Sequence, residues 1–119
     1  MLDQTLPKSE RLFGQAAVAR LFEHGKGLTV GCLRCKWLSR GDQALPRIVV
    51  SVPKRHFKRA VKRNLLKRRL RESYRRQKEL LGLGVDVLFV YTSTEVLPYE
   101  AIYADMTAAL TALAGKKDE

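Results

Sequence analysis

The sequence predicts an α/β fold of the α+β kind, a small sheet packed on helices, and three observations carry that prediction. Stretches with apolar residues at three- and four-residue spacing alternate with short β-branched stretches, in the order helix, two or more strands, helix, strand, helix. Hydrophobic residues make up 45% of the 119 positions, enough to bury a core without disulfides or metal. No repeat, low-complexity tract or linker divides the chain, so residues 1–119 are expected to form one domain, with 1–8 and 115–119 frayed.

Ser9 can cap a first helix over 9–24, with Leu12, Phe13, Val18, Leu21 and Phe22 as its apolar positions and Gly25 and Gly27 at its end. Residues 28–38 read as one strand, because Leu33, Cys35 and Trp37 alternate with Arg34 and Lys36. Turn residues at 39–42 lead into a β-branched strand over 47–52, closed by Pro53, and the two strands are expected to pair as an antiparallel hairpin. A long basic helix follows over about 56–81, ended by Gly82 and Gly84. Residues 85–91 form a third strand, buried on at least one face, with Asp86 near the end where water reaches it. Pro98 opens a last helix in which Ile102, Met106, Ala109, Leu110 and Leu113 recur at helical spacing.

Charge is concentrated in one segment. Between Lys54 and Lys78 lie 13 of the 23 basic residues against a single acid, Glu72, while the rest of the chain holds 10 bases and 11 acids. The net charge of +11 therefore arises on the basic helix and its approach. At about 100° per residue, Asn64, Lys67, Arg68, Arg71, Arg75 and Lys78 share one arc of that helix. Leu66, Leu70, Ser73 and Gln77, with Tyr74 at the edge, lie opposite and form the stripe that packs. A row of cations at successive turns can follow a phosphate backbone, which makes nucleic acid the expected partner. An adjoining sheet with basic side chains and an aromatic favours RNA over DNA. A membrane helix would need a broad exposed apolar face, which Leu66 and Leu70 do not supply, and no stretch has the length of a membrane span. A cytoplasmic protein is expected.

Cys32 and Cys35 form a Cys-x-x-Cys, yet His24 and His56 are the only histidines that could complete a four-ligand zinc site. A redox pair would open a helix, whereas these residues sit in the strand reading of 28–38, on opposite faces. A zinc-dependent regulator is accordingly the weaker alternative. No paired acid and base or metal-ligand cluster for protein catalysis stands out.

Residues 60–72 read Ala-Val-Lys-Arg-Asn-Leu-Leu-Lys-Arg-Arg-Leu-Arg-Glu. This closely resembles the signature helix of the bacterial ribonuclease P protein subunit, Ala-Val-x-Arg-Asn-x-x-Lys-Arg-x-x-Arg-Glu, at every defined position. The runs at 51–55, 21–25 and 84–87 are similar to that family's strand-and-basic-turn, first-helix end and late strand. The resemblance implies a mixed sheet of about four strands with three helices, a ribosomal S5 domain 2-like sandwich with a left-handed βαβ crossover. It also implies a helper role in removing the 5′ leader of precursor tRNA, the cut being made by an RNA subunit and its Mg²⁺, with no protein-bound cofactor and no obligate protein partner. On the family pattern Arg63, Asn64, Lys67, Arg68 and Arg71 would contact the RNA subunit, with Lys54, Arg55, Arg59 and Arg75 extending that surface. Val18, Phe22, Arg34 and Lys36 would line the leader groove, relying on charge more than on stacking. The family names this motif after Arg-Asn-Arg, and Leu65 stands in place of its final cation, which Arg69 or Lys62 would have to replace. A ribosomal or ribosome-assembly RNA-binding protein is the second reading.

Overall fold

Residues 15–116 are described by the structure, a computed structural model. Ser9, Leu12, Phe13, the segment 1–8 expected to fray and the tail 117–119 lie outside them. The elements are α1 (Gln15–His24), β1 (Lys26–Val30), β2 (Leu33–Ser39), β3 (Arg47–Ser51), α2 (Ala60–Arg75), a 3-10 turn (Lys78–Leu80), β4 (Val85–Tyr91) and α3 (Tyr99–Lys116). Gly115 and Lys116, expected to fray, are the last residues of α3.

The four strands form one mixed sheet in the order β1-β2-β4-β3. β2 runs antiparallel to β1 and β4, whereas β3 runs parallel to β4, with Ile48 beside Val87 and Val50 beside Phe89. On one face Leu33, Cys35 and Trp37 of β2, Ile48 and Val50 of β3, and Val85, Val87, Phe89 and Tyr91 of β4 meet Leu66, Leu70, Ile102, Met106, Leu110 and Leu113 of α2 and α3. The other face carries a smaller cluster, in which Leu21 and Leu88 are packed by Ala17, Val18, Leu38, Val49 and Val90. The sheet is thus a middle layer, with α1 on one side and α2 with α3 on the other.

Three expectations about the strands are corrected. Residues 28–38 are two strands, joined through Gly31 and Cys32, with Val30 paired to Leu33. Gly31 has φ 53°, and a side chain there would meet the Asp105 carboxylate at about 2.4 Å. A glycine at the first central position suits a two-residue hairpin whose twist matches its strands. The sequence carries the sign of this turn: inward apolar residues fall on even positions at Leu28 and Val30, then on odd ones from Leu33.

The run at 47–52 does not pair with the preceding strand, because β4 takes the place between them. β4 is the strand best suited to the centre: six of its seven residues are buried, so both faces need cover and both edges need partners. Asp86, expected near water, is only 7% exposed. Arg47 grips its carboxylate with Nε and Nη2, both at 2.9 Å, and Arg40 Nη1 donates to the same group at 2.7 Å. Arg40 also donates to the Ala44 and Leu45 carbonyls, so the pair of arginines fastens the 40–46 loop to the sheet's end.

Cys32 and Cys35 are buried in the same core rather than on opposite faces, since the turn separates them. Burial pushes both thiols up to about 12, and the Asp105 carboxylate beside Cys32 adds to its shift. The basic helix is also shorter than expected. α2 starts at Ala60, after a turn that holds Lys54 and Arg55, and stops at Arg75. It breaks where Gln77 leaves helical geometry (φ −142°) and buries its carboxamide against α3, donating to the Tyr103 carbonyl at 3.3 Å and accepting from Thr107 Oγ1 at 2.6 Å. Among the described residues no helix is long and apolar enough to cross a membrane.

Asp86→Asn removes the charge that both arginines share and is expected to lower stability by about 2–3 kcal/mol, read from urea unfolding; a loss near zero would show that the clamp is not needed. The thiols give a pH prediction. Unfolded thiols ionise above their ordinary value of 9.0 while the folded ones stay protonated towards about 12, so stability falls as pH rises through that window. Replacing both cysteines by alanine should flatten this alkaline decline.

Candidate nucleic-acid interface

α2 presents its cations outward because Leu66, Leu70, Ser73 and Tyr74 are buried beneath it. With that side fixed against the sheet and α3, Asn64, Arg68 and Arg71 project to solvent, and Lys67 sits half-buried on the flank. No acid lies in the first turn, and Arg59 at the N-cap makes no side-chain capping bond, so the partial positive charge of the helix start adds to that of the side chains. Arg59, expected inside the long basic helix, is instead the N-cap of α2, and Lys54 and Arg55 sit exposed on the turn that leads into it.

A second surface lies on the other side of the sheet. Leu33, Cys35 and Trp37 turn into the large core, so Arg34 and Lys36 of β2 face the α1 side. There Lys36 Nζ donates to the Phe22 carbonyl at 3.3 Å and lies 5.3 Å from the centroid of its ring. Phe22 is 57% exposed, so it is not a core residue, while Val18 one turn earlier packs into the small cluster. Arg34 is exposed. The structure therefore places Val18, Phe22, Arg34 and Lys36 on one face, with Phe22 and Lys36 in contact. It does not bring them near the outward row of α2, which belongs to the opposite layer.

A sequence model of the family described as ribonuclease P matches residues 6–114. The chain belongs to the ribonuclease P protein family. A ribonuclease P protein component from Porphyromonas gingivalis is 34% identical over 119 residues, covering 92% of this chain and 87% of the relative. One from Syntrophus aciditrophicus is 29% identical over 108 residues, covering 90% and 89%. In fold the chain is similar to the ribonuclease P protein of Thermotoga maritima, with a TM-score of 0.76 at 22% identity over 87% of this chain and 96% of that one. The Staphylococcus aureus protein gives 0.77 at 21% identity, over 88% and 95%.

For a ribonuclease P protein, the cations of the 54–78 segment divide sharply into two sets. Arg63, expected to contact the RNA subunit, spends Nη1 on the Phe57 and Lys58 carbonyls at 2.7 and 2.9 Å, which ties the preceding loop to the first turns of α2. Arg69 donates to the Leu97 carbonyl at 2.5 Å, joining α2 to the loop before α3. Arg75 and Arg76 are both ion-paired to Glu72, whose carboxyl is held below the usual carboxylate range by Arg75 first and Arg76 after it. The side-chain charges of Lys54, Arg55, Lys58, Arg59, Lys62, Lys67, Arg68 and Arg71 make no hydrogen bond or ion pair with another described residue.

This sorting bears on Leu65, which is half-buried. Of the two residues that could stand in for the motif's final cation, Arg69 is occupied and Lys62 is exposed and unpaired among the described residues. Sequence reasoning passed over Lys58, Arg40 and Arg76. Lys58 was legible in the charge run, but the roles of Arg40 and Arg76 depend on partners distant in sequence or on another helix. Among the described residues no group of three or more His, Cys, Asp or Glu side chains could hold a metal ion.

Arg63→Ala should cost about 1–2 kcal/mol of folding stability through two lost hydrogen bonds, whereas Arg68→Ala should stay within about 0.5 kcal/mol of the parent. Thermal unfolding of the two variants side by side checks this, and equal stabilities would deny Arg63 its structural part.

Proposed function

We propose that this ribonuclease P protein binds the RNA subunit of its holoenzyme along the outward side of α2 and the turn before it, and holds the 5′ leader of precursor tRNA between α1 and the sheet. The observation that carries the reading is the set of unpaired cations on one connected surface, Lys54, Arg55, Arg59, Lys67, Arg68 and Arg71 with Asn64 among them. Folding does not consume these charges, and their mutual repulsion is relieved when phosphates lie against them. Arg63 and Arg75 support this surface from within the fold. On the other side of the sheet, Arg34 and Lys36 would meet the leader's phosphates, Phe22 would offer its exposed ring to a base, and Val18 would form the floor.

In this reading no protein side chain cuts the phosphodiester. Hydrolysis belongs to the RNA subunit and its Mg²⁺, in the cytoplasm, and the protein contributes by neutralising phosphates and placing the leader. Two surfaces on opposite layers allow one subunit to touch the catalytic RNA and the substrate together.

Binding to a bacterial-type ribonuclease P RNA should weaken steeply with salt, and Arg68→Ala with Arg71→Ala should reduce the slope of log K against log salt by about 1.4–1.8. Leader release from precursor tRNA at low Mg²⁺ should rise when the parent protein is added and rise less with the double variant. Unchanged affinity and slope in the folded double variant would remove α2 from the interface. Absence of any stimulation by the parent would return the chain to a role in RNA assembly.

A further inference from the structure

Arg76 caps the C-terminal end of α2, and its side chain is held on two sides. Nε donates to Glu72 Oε1 at 3.0 Å, and the guanidinium carbon lies 6.0 Å from the centroid of Tyr99, the first residue of α3. Tyr99 in turn meets Tyr103 at 5.9 Å between ring centroids, with the planes inclined by 56°. Both tyrosines are half-buried, yet the Arg76 side chain remains 53% exposed. The guanidinium is therefore a planar cation backed by an aromatic ring on the inside and open to solvent on the outside.

We propose that Arg76, backed by Tyr99, is a stacking platform for an unpaired base of RNA, so that the interface along α2 ends in a contact to a base rather than to another phosphate. Arginine planes are well suited to this, being weakly hydrated, delocalised and able to stack on aromatic rings. Glu72 and Tyr99 hold the plane before a base arrives, which lowers the ordering cost of binding. A cation at a helix C-terminus also satisfies the helix dipole, but a lysine would serve that purpose equally well. A lysine would not present the flat, delocalised face on which a base can stack.

The proposal rests on the RNA-binding reading of α2, and its test separates the two. Affinities of the full chain are measured for a short oligoadenylate and for an abasic oligomer of equal length, which carries the same phosphates without bases. The parent should prefer the oligoadenylate. Arg76→Lys and Tyr99→Leu should each reduce that preference by about fivefold, the low end of what one stacked base contributes, while leaving affinity for the abasic oligomer unchanged. Tyr99→Phe should behave like the parent. Should Tyr99→Leu fail to fold, Arg76→Lys decides alone. If Arg76→Lys keeps the full preference, the platform is overturned even though the Arg68→Ala, Arg71→Ala variant still binds weakly. If that double variant binds both oligomers as the parent does, it is the wider reading that fails.

Discussion

Burial of β4 on both faces is the constraint from which the other features follow. A strand reading Val-Asp-Val-Leu-Phe-Val-Tyr with six of seven residues buried must have neighbours on both edges and a layer on each side. β2 supplies one edge and β3 the other, and because β3 runs parallel to β4 the chain between them must cross back over the sheet. α2 lies on that crossing. Its apolar stripe is pressed onto the sheet, and its cations are thereby turned outward. α1 covers only part of the opposite face, leaving Arg34 of β2 exposed beside it and its own Phe22 turned to solvent.

The same arrangement decides which charges are free. Arg69 and Arg63 lie on the flanks of α2, close to carbonyls of the loops on either side, and they serve the fold by satisfying them. The loop that Arg69 reaches is itself anchored by Tyr91, whose hydroxyl donates to the Glu95 carbonyl at 2.6 Å and accepts from the Leu97 amide at 3.2 Å. Glu72, the one acid of the segment, neutralises the end of the helix rather than its middle. What remains is a compact row of cations without partners among the described residues, running from the turn at Lys54 to Arg71. A helix wheel counts all arginines alike, whereas tertiary contacts assign them different work.

Local patterns carried the element types well and their pairing poorly. The apolar spacing of α3, the packing stripe of α2 and the position of β4 were all readable. The hairpin between 28–38 and 47–52 was not the true pairing, because nothing in a β-branched run states whether its partner is adjacent in sequence or distant, parallel or antiparallel. The turn at Gly31 was readable in the shift of apolar parity from Leu28 and Val30 to Leu33, but the clean alternation further on concealed it. Asp86 looked like a strand-end carboxylate in water because its partners, Arg40 and Arg47, stand 46 and 39 residues away. Among the candidate site residues, exposure of Asn64, Arg68 and Arg71 followed from helix periodicity, while the exposed state of Phe22 did not follow from any spacing.

By itself the sequence determined the family through residues 60–72, the elements of the sheet and helices, and the sign of the partner's charge, since each of these is a local pattern or a sum over residues. Only the tertiary structure decided strand order, the burial of Asp86 and both thiols, and which arginines are spent within the fold. Those depend on contacts between residues far apart in the chain, whose free energy is realised only when β4 is enclosed and the helices are packed against it.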